Sequence, residues 1–468
     1  MKTNIKKYLT AVLLLFSSTV FSQETSSDSI LSFSLVELKE YALTHNYEIL
    51  NADLEIKKAE AQKYETTAIG LPHVSGSAEY QNFFEIPVQL MPNFIAPAVY
   101  DVNTEAFGLT PLVPLTQNDK IPVKFGSKHN LDFKISASQL IFSGEYIVGL
   151  KAAKIYLNLS EQAKQKNTEE IKLNIEKTHN LILITEESIK VLDSIYKNLT
   201  ELYKETETVY KNGFAEETDV EQLKLNMKDA ENSLISFKKQ RDFLFKLLKF
   251  QTGIDINYEI KLTGTLKDVL KEIENSGISS KVFDIYQNTD YKLVKIREKL
   301  ADLNLQREKT KYLPDLTAFY TYSRKIMQDS LNNIFDTDSY PTSLWGLQLN
   351  IPIFSSGQKR ARVMQAKFDF EEQKNIRLRT EQAIMLDYAR TKTDFEIALN
   401  TVKRKFEAEK LAEKIYNNTL EKYRAGTVSS ITLTQVQTQY FESLNEYYES
   451  VGELTDKYVD LKKLNNKL

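Results

Sequence analysis

The sequence contains no cysteine, which excludes disulfides, thiolate metal sites and cysteine nucleophiles. Its four histidines (His45, His73, His129, His179) are widely separated, which argues against a multi-histidine metal centre. Glycine (14) and proline (10) are scarce among 468 residues, so long regular elements are favoured over loops. Beyond residue 22 no run of apolar residues reaches the length of a membrane-spanning helix, so any membrane span must be β. There is no excess of one charge. Sixty-one Lys+Arg face 64 Asp+Glu, a net charge of −3, and the basic footprint of a nucleic-acid protein is missing. Nucleotide-binding glycine loops, HExxH and GxSxG are also absent. The many carboxylates, such as Glu169-Glu170 and Glu371-Glu372, fall in helical stretches, where they serve as solvated faces or i,i+4 partners. No enzyme is expected, and no catalytic, metal-binding or cofactor-binding residue. What the chain does have is apolar content, 42%, with 25 Tyr and 24 Phe against one Trp. That is ample for a packed core.

Residues 1–22 carry Lys2, Lys6 and Lys7, then an apolar stretch from Leu9 to Val20, then small residues. This is the pattern of a secretory signal peptide. No cysteine follows for lipid attachment, so export without a lipid anchor is expected.

Between Gly149 and Gly213, and again between Gly357 and Gly426, there is neither glycine nor proline. In the first interval Ile171, Ile175, Thr178, Ile182, Thr185, Ile189, Leu192, Tyr196, Leu199, Tyr203, Thr206 and Tyr210 alternate at spacings of four and three, a heptad seam. The second carries Phe395, Leu399, Val402, Phe406, Tyr416, Leu420 and Tyr423. A helix of such length would extend about 100 Å, too long for a compact domain. The halves also match each other. Asn46…Leu71-Pro72…Tyr80 corresponds to Asn288…Leu313-Pro314…Tyr322 at an offset of 242, and Tyr210-x-x-Gly213 to Tyr423-x-x-Gly426 at an offset of 213. The second offset carries Ile182, Ile189, Tyr196 and Tyr203 onto Phe395, Val402, Glu409 and Tyr416. This reads as one internal duplication. The difference between the offsets is the proline-rich stretch 84–126, which suits a cap over a barrel mouth as well as a passive surface insertion.

The segments preceding the long helices alternate with period two. Leu131, Phe133, Ile135 and Ala137 interleave with Asp132, Lys134, Ser136 and Ser138, and Trp345, Leu347, Leu349, Ile351 and Ile353 with Gly346, Gln348, Asn350 and Pro352. Such alternation suits a transmembrane strand or a half-buried hairpin of a soluble sheet. The signal peptide, and the lack of any other domain to cover the sheet, favour the membrane. Phe133, Ile135, Trp345, Leu347 and Leu349 are then expected to face lipid, with Lys134, Ser136, Gln348 and Asn350 towards water. Tyr80, Phe83, Phe84, Phe133, Phe142, Phe319, Tyr320, Tyr322, Trp345 and Phe354 are candidates for an interfacial aromatic girdle.

The expected organisation is therefore mainly α with a transmembrane β-barrel. The signal peptide (1–22) is followed by a first repeat (23–252) with strands at about 72–84 and 128–142, loop 85–127, long helix 145–211, tip 212–215 and returning helix 216–251. An equatorial connecting segment (253–287), polar and mixed, precedes the second repeat (288–468), with strands at about 314–325 and 343–354, long helix 358–423, tip 424–428 and returning helix 429–465.

In the order and duplication of its Leu-Pro junctions, its strand ends Ile141-Phe142-Ser143-Gly144 and Ile353-Phe354-Ser355-Ser356-Gly357, and its two Tyr-x-x-Gly tips, the chain resembles the TolC-like outer membrane efflux proteins (outer membrane factors) over nearly its whole mature length. It departs at Asn288-Thr289-Asp290, where the family often has Arg-Pro-Asp, and at Thr432 and Gln435, where acidic residues are usual. The resemblance implies a homotrimer in the outer membrane lipid, each chain giving four strands to a twelve-stranded barrel, with long helical hairpins forming a periplasmic α-barrel. Its partners would be a periplasmic adaptor (membrane fusion) protein, contacting the tips at Tyr210, Gly213, Tyr423 and Gly426, and an inner-membrane transporter. Oligomerisation follows from the residues as well, because four strands cannot close a barrel. Candidate pore-gate residues are Asp219, Thr432 and Gln435. Beyond the first tip, Thr218-x-x-Glu221 has the form of a capping box, which leaves Asp219 as the carboxylate free to form a ring. The competing function is a secreted trimeric coiled-coil scaffold or adhesin without a pore.

Overall fold

The computed structural model describes residues 31–92, 102, 104–108, 120–280, 282–331 and 338–466; the expected signal peptide and much of the 85–127 loop lie outside them. In chain order the elements are β1 (Leu31–Phe33), α1 (Leu35–His45), α2 (Tyr47–Ala68), β2 (His73–Asn82), β3 (Val88–Pro92), β4 (Lys120–Lys124), β5 (His129–Phe142), α3 (Gly144–Lys211), α4 (Glu217–Thr252), β6 (Ile260–Leu262), α5 (Leu266–Asn275), α6 (Thr289–Thr310), β7 (Asp315–Gln328), β8 (Ser339–Asn350), α7 (Gln358–Arg424) and α8 (Ser430–Leu464). Contacts divide the chain into two compact units, each drawing on both sequence repeats.

The first unit comprises the chain up to Asp53, Ala163–Tyr291 and Glu381–Leu468. Here α3 buries more than one heptad seam. Ile171, Ile175 and Ile182 pack with Leu38 and Ala42 of α1 and Leu244 and Leu248 of α4. On another side Leu183 and Ile184 meet Phe395, Ala398 and Val402 of α7 and Val451 and Leu454 of α8. A two-stranded coiled coil needs one stripe; a helix with neighbours on two sides needs two. Nearer the tips, Ile195, Leu199 and Leu202 join Leu223, Leu420, Leu433 and Leu444.

The connecting segment 253–287 is less polar in its packing than its composition suggests. It buries Ile254, Ile260, Leu266, Ile273, Ile278 and Ile285. Strand β6 pairs in parallel with β1, from Leu31 opposite Ile260 to Phe33 opposite Leu262. Helices α1 and α5 both start in capping boxes, Ser34 with Glu37 and Thr265 with Asp268, which supply partners for the free N–H groups of short helices. Elements of three to ten residues are too short to print a periodicity.

The second unit comprises Leu54–Gln162 and Lys292–Thr380 and holds an antiparallel four-stranded sheet in the order β2-β5-β7-β8. Strand β8 ends at Asn350, opposite Asp315, so residues 351–354 are not strand as expected. The next partner along β7 would be Pro314, and Pro352 follows on β8; neither has an N–H to donate. Strand β7 runs on to Gln328 and β8 starts early, at Ser339. Inside the expected loop, β3 and β4 pair as a small antiparallel ladder.

The same local devices occur at matching places of the two halves. Asn46 Oδ1 accepts from the N–H groups of Glu48 (2.8 Å) and Ile49 (3.2 Å), and Asn288 Oδ1 from those of Asp290 (3.0 Å) and Tyr291 (3.2 Å). At the Leu-Pro junctions the Leu71 N–H donates to Ala68 O (3.0 Å) and the Leu313 N–H to Thr310 O (2.9 Å).

A buried charge cluster joins α1, α3 and α8 in the first unit. The Glu176 carboxylate, its side chain 3% exposed, accepts from Lys39 and from Lys462 Nζ (2.7 Å). Lys462 also lies over the Tyr458 ring. Burial pushes the Glu176 carboxyl up, but the two ammonium groups outweigh it and hold it below the usual range. A depressed carboxyl contributes stability above its unfolded pKa and loses it as pH falls through the folded one. Glu176→Gln should therefore lower the unfolding free energy at pH 7 by about 3 kcal/mol, because two lysines lose their buried counter-charge. In thermal melts followed by circular dichroism, the gap between variant and wild type should shrink below pH 4. An unchanged melting temperature at pH 7 would show that the cluster is solvated.

Candidate functional site

The sheet register decides which side chains share a face. Across β2, β5, β7 and β8 the partners run Ala78–Phe133–Arg324–Pro341, Gly76–Ile135–Tyr322–Ser343 and Val74–Ala137–Tyr320–Trp345. Ala318 then faces Leu347, and Leu316 faces Leu349. Phe133, Ile135, Trp345, Leu347 and Leu349 thus lie on one continuous, largely apolar face. No described residue covers it: Trp345 is 76% exposed and Leu347 62%. The exception, Arg324, has a stem long enough to carry its charge away from the apolar surface.

The opposite face is polar. Ser77, Lys134, Ser323 and Thr342 share one row, and Asp132 and Lys325 form an ion pair at 3.8 Å. Phe319, expected among the girdle aromatics, lies on this polar face. Its ring covers Gly346, where a Cβ would stand 2.7 Å from Phe319 Cζ. Alternation puts the adjacent aromatics Phe319 and Tyr320 on opposite faces, and their partners Gly346 and Trp345 show which of the two lies on the apolar one.

The helical tips belong to the first unit. Both close with the same pair of hydrogen bonds. At the end of α3, the Gly213 N–H donates to Tyr210 O (2.8 Å) and the Phe214 N–H to Val209 O (3.0 Å). At the end of α7, the Gly426 N–H donates to Tyr423 O and the Thr427 N–H to Lys422 O, both 2.9 Å. Gly213 and Gly426 have φ of +82° and +70°, the left-handed geometry in which a helix C-terminus satisfies its last carbonyls. Tyr210 is exposed, as is Phe214 beside it. Tyr423 is half-buried, and burial pushes its phenol up, with the Asp219 charge acting in the same direction.

The predicted capping box at Thr218 does not form. Helix α4 starts one residue after Glu216, which makes no side-chain cap, and the Thr218 hydroxyl donates to Glu216 Oε2 at 3.3 Å. Asp219 falls in the first turn of α4, half-buried. Helix α8 is capped differently: Ser429 Oγ accepts from the Thr432 N–H at 3.3 Å. Thr432 and Gln435 are exposed. A polar link just beyond the tips was not anticipated. Asn226 is buried on α4, and its Nδ2 donates to Thr434 Oγ1 of α8 at 2.8 Å, while Gln222 Nε2 donates to Asn226 Oδ1 at 3.4 Å. The clue was available, since Asn226 follows Leu223 and precedes Ala230 on the buried stripe of α4. An amide there sets register at some cost in stability.

The fold over the described residues is that of the outer membrane channels. It is similar to the outer membrane protein VceC from Vibrio cholerae (14% identity, TM-score 0.67, covering 92% of this chain and 96% of that one). It is likewise similar to the Campylobacter jejuni CmeC outer membrane channel (16%, 0.69, 92% and 85%) and the Neisseria gonorrhoeae MtrE outer membrane channel (14%, 0.65, 92% and 88%). Residues 287–467 match the family model described as Outer membrane efflux protein. No curated protein sequence matches it. Nothing in these likenesses supports the scaffold or adhesin alternative.

The Asn226 link predicts that Asn226→Ala lowers unfolding free energy by about 1–2 kcal/mol, the cost of one lost buried hydrogen bond. Chemical denaturation followed by circular dichroism measures it. A midpoint equal to wild type would mean the bond is replaced by water.

Proposed function

We propose that the chain is the outer membrane channel of a tripartite efflux or type I secretion system, a passive duct from periplasm to exterior formed by three copies. The observation that carries this is the four-stranded sheet with one apolar, uncovered face and two open edges. Among the described residues β2 and β8 each have a strand on one side only. Unpaired edge groups are not tolerated in hydrocarbon. Because successive strands alternate in direction, β8 of one copy would meet β2 of the next antiparallel, and three copies would close twelve strands. In this reading Phe133, Ile135, Trp345, Leu347 and Leu349 contact outer membrane lipid and the polar face lines water. The internal duplication explains the paired caps, junctions and tips.

The tips at Tyr210, Gly213, Tyr423 and Gly426 would receive a periplasmic adaptor, and an inner-membrane transporter would supply the energy. The channel itself needs no cofactor and no nucleic acid. Asp219, with Thr432 and Gln435 from the second tip, would line the gate; three copies of Asp219 would make a ring favouring cations.

Two measurements test this reading. Leu347→Arg should abolish assembly of heat-modifiable trimers in the outer membrane fraction, since Arg in mid-bilayer costs about 2–4 kcal/mol. Gln348→Arg should assemble normally. Equal tolerance of both would sink the lipid-facing assignment, and recovery of the wild type in the soluble periplasmic fraction would sink the channel. In planar bilayers Asp219→Asn should lower cation preference and relieve blockade by multivalent cations. Unchanged selectivity, with Glu217→Gln altering it instead, would place the ring elsewhere.

A further inference from the structure

The seam of α7 reads Phe395, Val402, Glu409 and Tyr416 where that of α3 reads Ile182, Ile189, Tyr196 and Tyr203. Position 409 thus puts a carboxylate where a helix seam wants an apolar or aromatic side chain, and Glu409 is 5% exposed. A carboxylate withdrawn from water needs a close counter-charge. Glu409 has one weak partner: Lys410 Nζ stands 3.6 Å from Oε2, while the same ammonium is 2.9 Å from Glu413. The Lys410 side chain is 53% exposed, so it can swing away at little cost.

Beside Glu409 lies a cavity of about 460 Å³ between α3, α7 and α8, within the first unit. Five aromatic residues, Phe406, Tyr416, Tyr440, Tyr447 and Tyr448, line it together with polar and charged side chains. Phe406 and Tyr447 have ring centroids 5.5 Å apart, Tyr416 and Tyr440 5.6 Å, and Tyr447 and Tyr448 5.3 Å. Tyr416, another lining residue, is 2% exposed, and its buried hydroxyl has no hydrogen-bond partner among the described residues. The other cation at the wall, Lys190, is engaged by Glu187 at 2.7 Å.

We propose that this cavity is a binding site for a small organic cation, an amine or a quaternary ammonium compound. Aromatic faces attract a cation through their quadrupole, most strongly where water is excluded. Glu409 and Glu413, which both line the cavity, supply the counter-charge. The structure already holds a tethered analogue of such a ligand: the Lys410 ammonium lies 5.7 Å from the centre of the Phe406 ring. The competing account makes Glu409 a register device for the helix seam, like Asn226, with no ligand. Such a site would bind its cation whether or not the chain conducts.

The test is isothermal titration calorimetry of the purified full-length protein, at fixed ionic strength, with choline chloride and with 3,3-dimethylbutanol, which has the same shape without the charge. Choline should bind about tenfold more tightly than the alcohol. Glu409→Gln should weaken choline binding about tenfold, and Lys410→Ala, which removes the tethered competitor, should strengthen it severalfold. Phe406→Ala, at a half-exposed position, should weaken binding without endangering the fold. Equal affinity for the two probes would overturn the proposal. So would choline affinity indifferent to Phe406→Ala and Lys410→Ala, or no detectable binding by both wild type and Lys410→Ala.

Discussion

A strand edge in hydrocarbon has no water to satisfy its N–H and C=O groups, and each unsatisfied group costs several kcal/mol. Among the described residues the sheet β2-β5-β7-β8 has two unpaired edges and one face of uncovered apolar side chains, and the proposed channel would place both in the membrane. The rest of the chain is arranged around that constraint. Prolines 314 and 352 end the ladder where the chain turns to helix, and Gly346 lets Phe319 lie flat on the polar side. Four strands are too few to close a barrel on their own, which is why the proposed channel needs further copies of the chain.

In the first unit the helices solve a different problem. Helix α3 runs through a core made by α1, α4, α7 and α8, and so buries apolar residues on more than one side. Two of the polar groups in this core are matched across helices. Glu176 is fully compensated by two lysines and behaves as a strut between helices. Asn226 and Thr434 satisfy each other across the α4–α8 seam. Glu409 is the contrast: equally buried, it has only a shared and mostly exposed partner. The difference between a structural charge and a candidate binding charge lies in that uncompensated burial, since a buried ion without a full partner is retained only where something else offsets its cost.

The likeness to outer membrane channels of known structure is one of fold at 14–16% identity. Such divergence is physically reasonable here. A lipid-facing strand demands alternation and not particular residues, and a helix seam demands apolar spacing. What recurs within this chain is also backbone chemistry: the Asn46 and Asn288 caps, the two Leu-Pro junctions and the two positive-φ glycine tips.

The elements that a single chain segment specifies were legible in the sequence: the glycine- and proline-free helices, the alternating strands before them and the tips at Gly213 and Gly426. Each depends on spacing along one strand or one helix, or on a residue that alone permits a given φ. What sequence could not decide was anything set by a neighbour. Whether Thr218 or Glu216 begins α4 depends on where the tip places the chain, and which of Phe319 and Tyr320 lies on the apolar face depends on their partners in the sheet. The apparently polar segment 253–287 packs because α1, α3 and α8 supply walls for its scattered isoleucines. The environment of Glu409, identical on paper to that of any other helix carboxylate, is made by tyrosines that tertiary packing brings from α7 and α8. Periodicity and backbone conformation are properties of the chain itself, whereas burial and partnership are properties of the space between elements, and only the folded structure contains that space.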